Sequence, residues 1–454
     1  MNTPQVHVII INWNGLEHLA VCLDSVLAQT YANIRVILAD NASGDDSVVF
    51  ARARHGHDPR FETLCLPRNL GWSGGNNAAI RRALDAGADY VFLLNNDTWT
   101  APDAVEKMVT MAESLPEAGA IAPKMLLFNY PAVINSIGLE ASLAGAAWDR
   151  GVGRLDGPAW NTPTQVIGVC GGACFLRGAA LRKTGLLPED FEIYLDDLDL
   201  CLRIWNAGYS IWTCPEAVVR HKFSATLGQD VRARRKYYLN TRNRFRIILR
   251  NYPARHALSI ASALATAEGR AVGRALLDGA LWRAICHVRA WIAGDLYLPR
   301  AVAERMRRRR AGLSGCRFWH LVRREPLFCR GFCLPEAGWY PAQMVHGKPV
   351  RPISARADCD FPGGRLLVRH ANCYPRLGVT EVRVQVDGNL VATLSTSEME
   401  ETILDLPAGR LTFESNRIFF AEDTGEIMDI GGWIGLETLG VQPDTAHTVS
   451  SRTA

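Results

Sequence analysis

Tyr90-Val91-Phe92-Leu93-Leu94-Asn95-Asn96-Asp97-Thr98 is the stretch on which the fold turns. Five apolar residues run without a polar break and then stop at two amides and a carboxylate. A strand with one wet face alternates, so an unbroken run predicts a strand buried on both faces. Outward from it the pattern repeats. Val6 to Ile11 is a second such run, closed by Asn12-Trp13-Asn14-Gly15. Ile34 to Ala39 is a third, closed by Asp40-Asn41-Ala42-Ser43-Gly44, and Phe61 to Leu66 is a fourth. Between them, Glu17 to Gln29 carries Leu19, Leu23, Val26 and Leu27 on one helical stripe. A glycine- and asparagine-rich turn over Asn69 to Asn77 opens a helix running through Ala86. Continuous apolar strands alternating with amphipathic helices predict an α/β domain with a mostly parallel sheet covered on both faces. Ligands of such sheets bind beyond the carboxyl ends of the strands. Asn12, Asp40 and Asn95 to Asp97 all fall there, which places the site.

The chain has 454 residues, enough for two or three domains. Its net charge of +4 is too small to argue for a nucleic-acid partner, but the charge is unevenly spread. Val231 to Arg310 holds 19 Lys or Arg against 4 Asp or Glu, in a stretch that reads as helical. Trp282, Trp291 and the cluster Arg307 to Arg310 suit a face lying on anionic lipid; an ordinary helical layer with a solvated basic face is the competing reading. Beyond about Leu313 the pattern changes to short alternating strands: Arg365 to Arg369, Glu381 to Val386, Val391 to Ser395, Leu411 to Glu414 and Trp433 to Leu439. Asp387-Gly388 is a hairpin signal among them, and an antiparallel sandwich is the economical reading. The expected organisation is therefore an α/β domain over 1–228, a basic helical segment over 229–312, a β-sandwich over 313–442 and a tail over 443–454. The 12 cysteines include no CxxC, which argues against a zinc site. Met1 to Gln5 is polar, which predicts no export signal, and no apolar run is long enough to span a bilayer.

Four clusters carry chemistry. Asn12 to Gly15 with Asp40 to Ser43 offers hydrogen-bonding groups to a base and ribose, although Asp40 also suits a turn or helix cap. Arg68 to Asn77 brings glycines and a helix N-terminus toward an anion such as a diphosphate. It is neither GxGxxG nor a P-loop. Asn95-Asn96-Asp97-Thr98 puts a carboxylate at a strand end beside amide oxygens, which suits Mg²⁺ or Mn²⁺; a capping Asp before a helix near Ala101 is the plainer alternative. Tyr194 to Arg203 crowds Asp196, Asp197 and Asp199 into four positions. Crowded acids raise one another's pKa, which suits a general base, while Asp199 can instead pair with Arg203 at helical spacing. His221 follows in Arg220-His221-Lys222, where a lone histidine is often structural.

At these clusters the chain resembles the family 2 glycosyltransferases, with their GT-A fold, and especially their rhamnosyltransferase-like branch. The motifs stand in order as Asn12 to Asn14 (N-W/Y-N), Asp40 to Ser43 (D-N-x-S), Asn69 to Asn77 (N-x-G-x-x-x-G-N-N), Leu94 to Thr98 (L-N-x-D-T) and Phe191 to Arg203 (F-x-x-Y-x-D-D-x-D-L-x-x-R). The resemblance covers roughly the first half of the chain. It implies an inverting transfer by single displacement from a nucleotide-sugar, with dTDP-rhamnose favoured over a UDP-hexose. It implies that Asp97 takes the last position of the DxD metal motif, whose first position is here Asn95, and that His221 is a further metal or diphosphate ligand. Asp197 is implied as the catalytic base, and Asp40 as a contact to the nucleotide base. The donor side then comprises Asn12, Asp40, Asn41, Arg68, Asn69, Gly71, Gly75, Asn76, Asn95 and Asn96; Gly171, Gly172 and Asp196 fall on the acceptor side. Tyr237 to Arg246 resembles the branch's Arg- and Asn-rich helix at the membrane face. Gly338-Trp339-Tyr340-Pro341 with Arg351 to Ala357 resembles a β-domain appended to some of these enzymes.

The implied acceptor is an envelope polysaccharide or lipid-linked glycan, with the enzyme cytoplasmic and peripheral on the inner face of the plasma membrane. A reading of another class is a non-catalytic glycan-binding protein whose sandwich carries the function. A binding module has no need of Asp97, Asp197 and His221 together.

Overall fold

The computed structural model describes residues 3–128, 131, 133–152, 154, 156–222, 231–277, 279–324, 343–345, 348–353, 356–371, 380–396, 399–415 and 432–439. The chain divides into two compact units, residues 1–152 with 156–327, and residues 153–155 with 328–454.

In the first unit the expected alternation is present: β1 (Val6–Asn12), α1 (Leu16–Leu27), β2 (Ile34–Asp40), α2 (Ser47–His55), β3 (Phe61–Cys65), α3 (Gly71–Asp85) and β4 (Tyr90–Asn95). There follow β5 (Thr98–Thr100), α4 (Ala104–Ser114), β6 (Ala118–Leu127), β7 (Ile134–Ser136), β8 (Leu139–Ala141), β9 (Ala147–Asp149), β10 (Ala173–Arg177), α5 (Gly178–Thr184), α6 (Asp196–Asn206) and β11 (Ser210–His221). The nine-stranded sheet runs β3-β2-β1-β4-β10-β6-β11-β5, with β7 on β6. β10 is antiparallel to both β4 and β6, so β6 and β11 regain the direction of β1 to β4. Six strands therefore share one direction, and the mostly parallel expectation holds.

β1, β2 and β4 are largely apolar because each feeds two cores, whereas β3 is only part-buried. Ile9, Ile37, Val91 and Leu93 face one side, against Ile80 and Ala83 of α3 and Leu198 and Leu202 of α6. Val8, Ile10, Val36, Phe92 and Leu94 face the other, against Leu19, Leu23 and Val26 of α1 and Val105 and Met108 of α4. Alternation survives in the residue numbers although both faces are dry. One element begins earlier than its composition suggests: α3 starts at Gly71, so Ser73 to Asn77 lie inside the helix and are buried. A Cβ on Gly75 would stand 2.5 Å from Ile11 Cδ1, so this glycine lets α3 pack onto β1.

Three helices close the unit: α7 (Val231–Asn251), α8 (Ala257–Leu277) and α9 (Leu281–Arg310), with α7 laid along α9. They join the sheet unit rather than standing apart. Ile247, Tyr252 and Ile260 enter the same core as Leu198, and so does Phe318, beyond the expected boundary at 313. Among the described residues no helix is long and apolar enough to cross a membrane.

The second unit carries two antiparallel sheets. Its strands are β12 (Gln343–Val345), β13 (Lys348–Ile353), β14 (Arg356–Phe361), β15 (Gly364–Ala371), β16 (Thr380–Val386), β17 (Asn389–Thr396), β18 (Met399–Leu406), β19 (Gly409–Ser415) and β20 (Gly432–Leu439). The orders are β12-β13-β20-β15-β18 and β14-β19-β16-β17. Leu366, Val368 and Ile434 of one sheet share a core with Val382, Val384, Leu411 and Phe413 of the other, which is a sandwich. Asp387 and Gly388 turn β16 into β17, with Asp387 at φ 49° and Gly388 at φ 82°. Gly338-Trp339-Tyr340-Pro341, the tail over 443–454 and the boundary at 228/229 lie outside the described residues.

Candidate active site

β1, β2 and β4 end together, and their last residues meet. Asn12 Nδ2 donates to Asp40 Oδ1 at 3.1 Å, and Asn96 Nδ2 donates to Asn12 Oδ1 at 2.7 Å. Gly15 makes room for that second bond: a Cβ there would lie 1.9 Å from Asn96 Nδ2. Asp40 is buried and also accepts from the Ser43 amide at 3.0 Å and the Ser43 hydroxyl at 2.5 Å, so its carboxylate shapes the turn after β2. Asn41 ties that turn to the next cluster, donating to Asn69 Oδ1 at 3.1 Å and the Gly71 carbonyl at 3.0 Å. Gly71, at φ 73°, takes the left-handed conformation this turn needs. Arg68 is exposed at the rim. Asn76 is wholly buried and its Oδ1 has no hydrogen-bond partner.

Asp97 sits in the turn between β4 and β5, not at a helix cap; α4 begins only at Ala104. β11 pairs with β5 so that His221 is opposite Thr98, which brings the imidazole onto Asp97. His221 Nε2 is 3.3 Å from Asp97 Oδ1 and 3.4 Å from Asn95 Nδ2, while its Nδ1 is 2.7 Å from Asn135 Oδ1. Burial works against charge on Asp97, but the facing imidazole outweighs it and holds the carboxyl below the usual range. Asp97 Oδ1 is itself buried outside any hydrogen bond.

Asp197 reaches the same place from α6. It caps its own helix through the Leu198 amide at 2.7 Å and takes the Gly171 amide at 2.9 Å. Gly172, the next residue, is the link to the Asp97–His221 pair: a Cβ there would lie 3.4 Å from His221 Cε1 and 3.6 Å from Asn95 Nδ2. The Trp72 ring covers Gly171, where a Cβ would meet it at 2.8 Å, and the indole N–H donates to Asn95 Oδ1 at 3.3 Å. Asp97 and His221 thus lie on one side of the two-glycine segment and Asp197 on the other. Burial first, then the charges of Asp196 and Asp149, push the Asp197 carboxyl up to about 7. Asp196 is raised too, chiefly by burial, and accepts from the Ser73 hydroxyl at 2.5 Å. Asp199 is the exception in the acidic run. It is fully buried, paired to Arg203 Nε at 2.8 Å and Arg250 Nε at 3.0 Å, and serves the helix packing.

The backbone leading into α6 is strained. Glu192, Tyr194 and Leu195 have φ of 68°, 70° and 61°, in the left-handed region that non-glycine residues avoid. α7 holds it: Asn243 Nδ2 donates to the carbonyls of Phe191, Ile193 and Tyr194 at 3.0, 3.0 and 2.9 Å, and Arg242 Nη2 donates to that of Phe191 at 3.0 Å. Both side chains are buried, so these members of Tyr237 to Arg246 face the loop leading into α6 and not a membrane. Asn135 and Asp149 are neighbours of the site that sequence reasoning missed. Trp72, Arg242 and Asn243 lie inside stretches it singled out, but their contacts here were not legible.

A model described as glycosyl transferase family 2 matches residues 7–128, and one described as glycosyl transferase family group 2 matches residues 90–319. The N-acetylglucosaminyl-diphospho-decaprenol L-rhamnosyltransferase of Mycobacterium tuberculosis is 28% identical over 255 residues, half of this chain and 79% of that protein. A protein of Sinorhizobium fredii, y4gI, is 30% identical over 242 residues, again half of this chain but a quarter of its own length. Among solved structures, S. aureus TarS 1-349 with UDP-GlcNAc has a TM-score of 0.46 at 15% identity, covering 77% of this chain and 97% of that one. With strand-end amides, an Asp–His pair and an acidic helix start gathered at one sheet edge, and a family model spanning half its length, this chain belongs to the family 2 glycosyltransferases.

Proposed function

We propose that this glycosyltransferase moves rhamnose from a nucleotide-sugar onto a lipid-linked or polysaccharide acceptor of the cell envelope, with inversion. The observation that carries the reading is the convergence of Asp97 and His221 with Asp197 across Gly171-Gly172. Asp197 is placed to take the proton of an acceptor hydroxyl as its oxygen attacks the sugar's anomeric carbon and the bond to the diphosphate breaks. A carboxyl that titrates near neutrality suits a base that must be ionised while it works. The mycobacterial relative's name supports rhamnose as the sugar and a diphospho-lipid as the acceptor. A UDP-hexose donor is the second reading, supported by the N-acetylglucosaminyltransferase of Sinorhizobium fredii, 28% identical over 256 residues.

The residues present fit a divalent cation. Asp97 Oδ1 is an orphaned anionic oxygen beside a ring nitrogen, and among the described residues no third His, Cys, Asp or Glu joins them. Asp97 and His221 would hold Mg²⁺ or Mn²⁺ with positions left for donor oxygens. The ion would offset the charge of the departing diphosphate. Asn12, Asn41, Arg68, Asn69 and Asn96 would line the nucleotide side of the cleft; Asp40 would reach the base only at the edge left by Ser43.

Thermal stabilisation by a nucleotide-sugar panel tests the donor. dTDP-rhamnose with Mn²⁺ is expected to raise Tm most, and Asp97→Ala to lose the Mn²⁺-dependent part and roughly 100-fold or more in kcat/KM. No stabilisation by any nucleotide, with no turnover, would favour the glycan-binding reading instead.

The helical layer would rest on the anionic inner face of the plasma membrane. The four arginines at the end of α9 are not equivalent for this: Arg308 is held by Glu304 and by Asn251 Oδ1 at 2.9 Å, whereas Arg307, Arg309 and Arg310 are exposed. Reversing those three to Glu, with Arg308 kept, is expected to weaken sedimentation with phosphatidylglycerol vesicles by roughly 100-fold. Unchanged sedimentation would return the segment to a solvated helical layer.

A further inference from the structure

We infer that the groove between α7 and α9 beside Glu192 seats the diphosphate of a membrane-lipid-linked acceptor, whose chain leaves over the outward face of α9. This rests on the transfer reading above and names the acceptor's chemistry. The groove has a volume of about 540 Å³ and is lined by Arg234, Arg235, Arg289, Glu192, Tyr238 and Trp282, with Ile285 at its edge. Three guanidinium groups face one carboxylate. Glu192 is engaged by Arg235 at 2.6 Å and by Arg242 at 3.0 Å. Arg234 and Arg289 are exposed and lie over rings: Arg234 is 5.5 Å from the Trp282 centroid and Arg289 4.8 Å from that of Tyr238. Among the described residues no carboxylate pairs with either. A guanidinium steadied on an aromatic face keeps its planar fork free for phosphate oxygens.

What surrounds the groove points to a lipid. Leu281, Ile285, Val288, Ile292 and Leu296 stand four, three, four and four apart and are 49–78% exposed, so α9 presents one outward apolar stripe. Ile285 belongs to both stripe and groove, so the anion site opens directly onto it. An uncovered apolar stripe beside unpaired arginines matches an interfacial helix under anionic headgroups better than a water-facing one. Glu192, in the groove's lining, lies on the loop that leads to Asp197. Glu192 and Asp197 are five residues apart, which even fully extended is about 18 Å, and the left-handed Tyr194 and Leu195 between them shorten it. A diphosphate in the groove therefore leaves its first sugar within reach of Asp197.

The test uses the full chain without donor. Binding is measured to phosphatidylcholine vesicles carrying either polyprenyl diphosphate or phosphatidylglycerol at equal negative charge. The chain is expected to prefer the polyprenyl diphosphate, and Arg234→Ala with Arg289→Ala to weaken that binding roughly 30-fold and abolish the preference. Ile285→Glu with Ile292→Glu is expected to lose both vesicle types. Equal binding of the two lipids, or a preference that survives the arginine changes, overturns the inference. So does a dimer in sedimentation velocity that the Ile285 and Ile292 changes dissociate, because the stripe would then be a subunit interface. Should the double arginine variant melt early, Arg234→Gln alone carries the test. Failure of donor turnover in the unaltered protein would sink the transferase reading while leaving the lipid preference measurable.

Discussion

Asp197→Asn is expected to lower transfer by roughly 10²–10⁴-fold while nucleotide-sugar binding stays within about twofold. The amide keeps the shape, and its single oxygen can still accept from Gly171 or from Leu198, though not from both, but it cannot take a proton from an acceptor hydroxyl. Isothermal titration with the donor separates the two quantities. Loss of donor binding in this variant would make Asp197 part of the donor site's scaffold rather than its base. The same residue sets a pH dependence. With the carboxyl raised to about 7, kcat/KM is expected to fall as pH drops through that value, and the Asn variant's residual rate to be flat there. The stability effect has the opposite sense. An acid whose folded pKa exceeds its unfolded 3.8 binds more protons when folded, so its contribution to stability is lost as pH rises toward 7. Asp197→Asn removes that titration, so the variant's Tm is expected to vary less than the parent's between about pH 5 and pH 8.

Two positions along the same helix, the identical substitution should do the reverse. Asp199 has no exposed surface and gathers Arg203 Nε, Arg250 Nε and Asn251 Nδ2 at 2.8, 3.0 and 2.8 Å. Arg250 continues to Glu304 at 2.9 Å and Tyr297 at 2.8 Å, so α6, α7 and α9 are joined through one anion. Burial opposes the charge, yet Arg250, Arg203 and Arg308 together hold the carboxyl well below its usual range. Asp199→Asn leaves the buried Arg203 guanidinium without its counter-charge and Arg250 with Glu304 and Asp190 alone, and is expected to cost about 3–5 kcal/mol in urea unfolding. A variant within 1 kcal/mol of the parent would show that the network is neutral packing. Because the folded pKa is depressed, this stability is present above the unfolded value of 3.8 and is lost as pH falls below it. The parent's stability is therefore expected to drop on acidification through that range, and the Asn variant's to change less.

These paired expectations mark where local pattern ends. Asp196, Asp197 and Asp199 are adjacent acids on one helix, and the sequence offered base, acceptor contact or ion pair for each. Their roles separate only because α6 turns Asp197 toward Gly171 and Asp199 toward α7. The pairing of Asp199 with Arg203 at helical spacing was open to sequence reasoning; Arg250, 51 residues away, was not. Likewise the Arg- and Asn-rich stretch on α7 could be seen, but not that Arg242 and Asn243 turn inward to hold the strained loop at Glu192 to Leu195.

The sequence by itself determined the strand ends and the helices between them. Apolar runs that feed two dry cores are a local property of the chain, and polar residues at their carboxyl ends must fall outside the sheet. That was enough to set Asn12, Asp40 and Asp97 on one edge, and Asp387-Gly388 in a hairpin. Tertiary structure alone decided which distant segments meet that edge. The reversal at β10, the register that lays His221 on Asp97, and the two glycines between Asp97 and Asp197 depend on contacts across tens of residues. No local periodicity encodes such contacts, because what selects them is the shared burial of surfaces far apart in the chain.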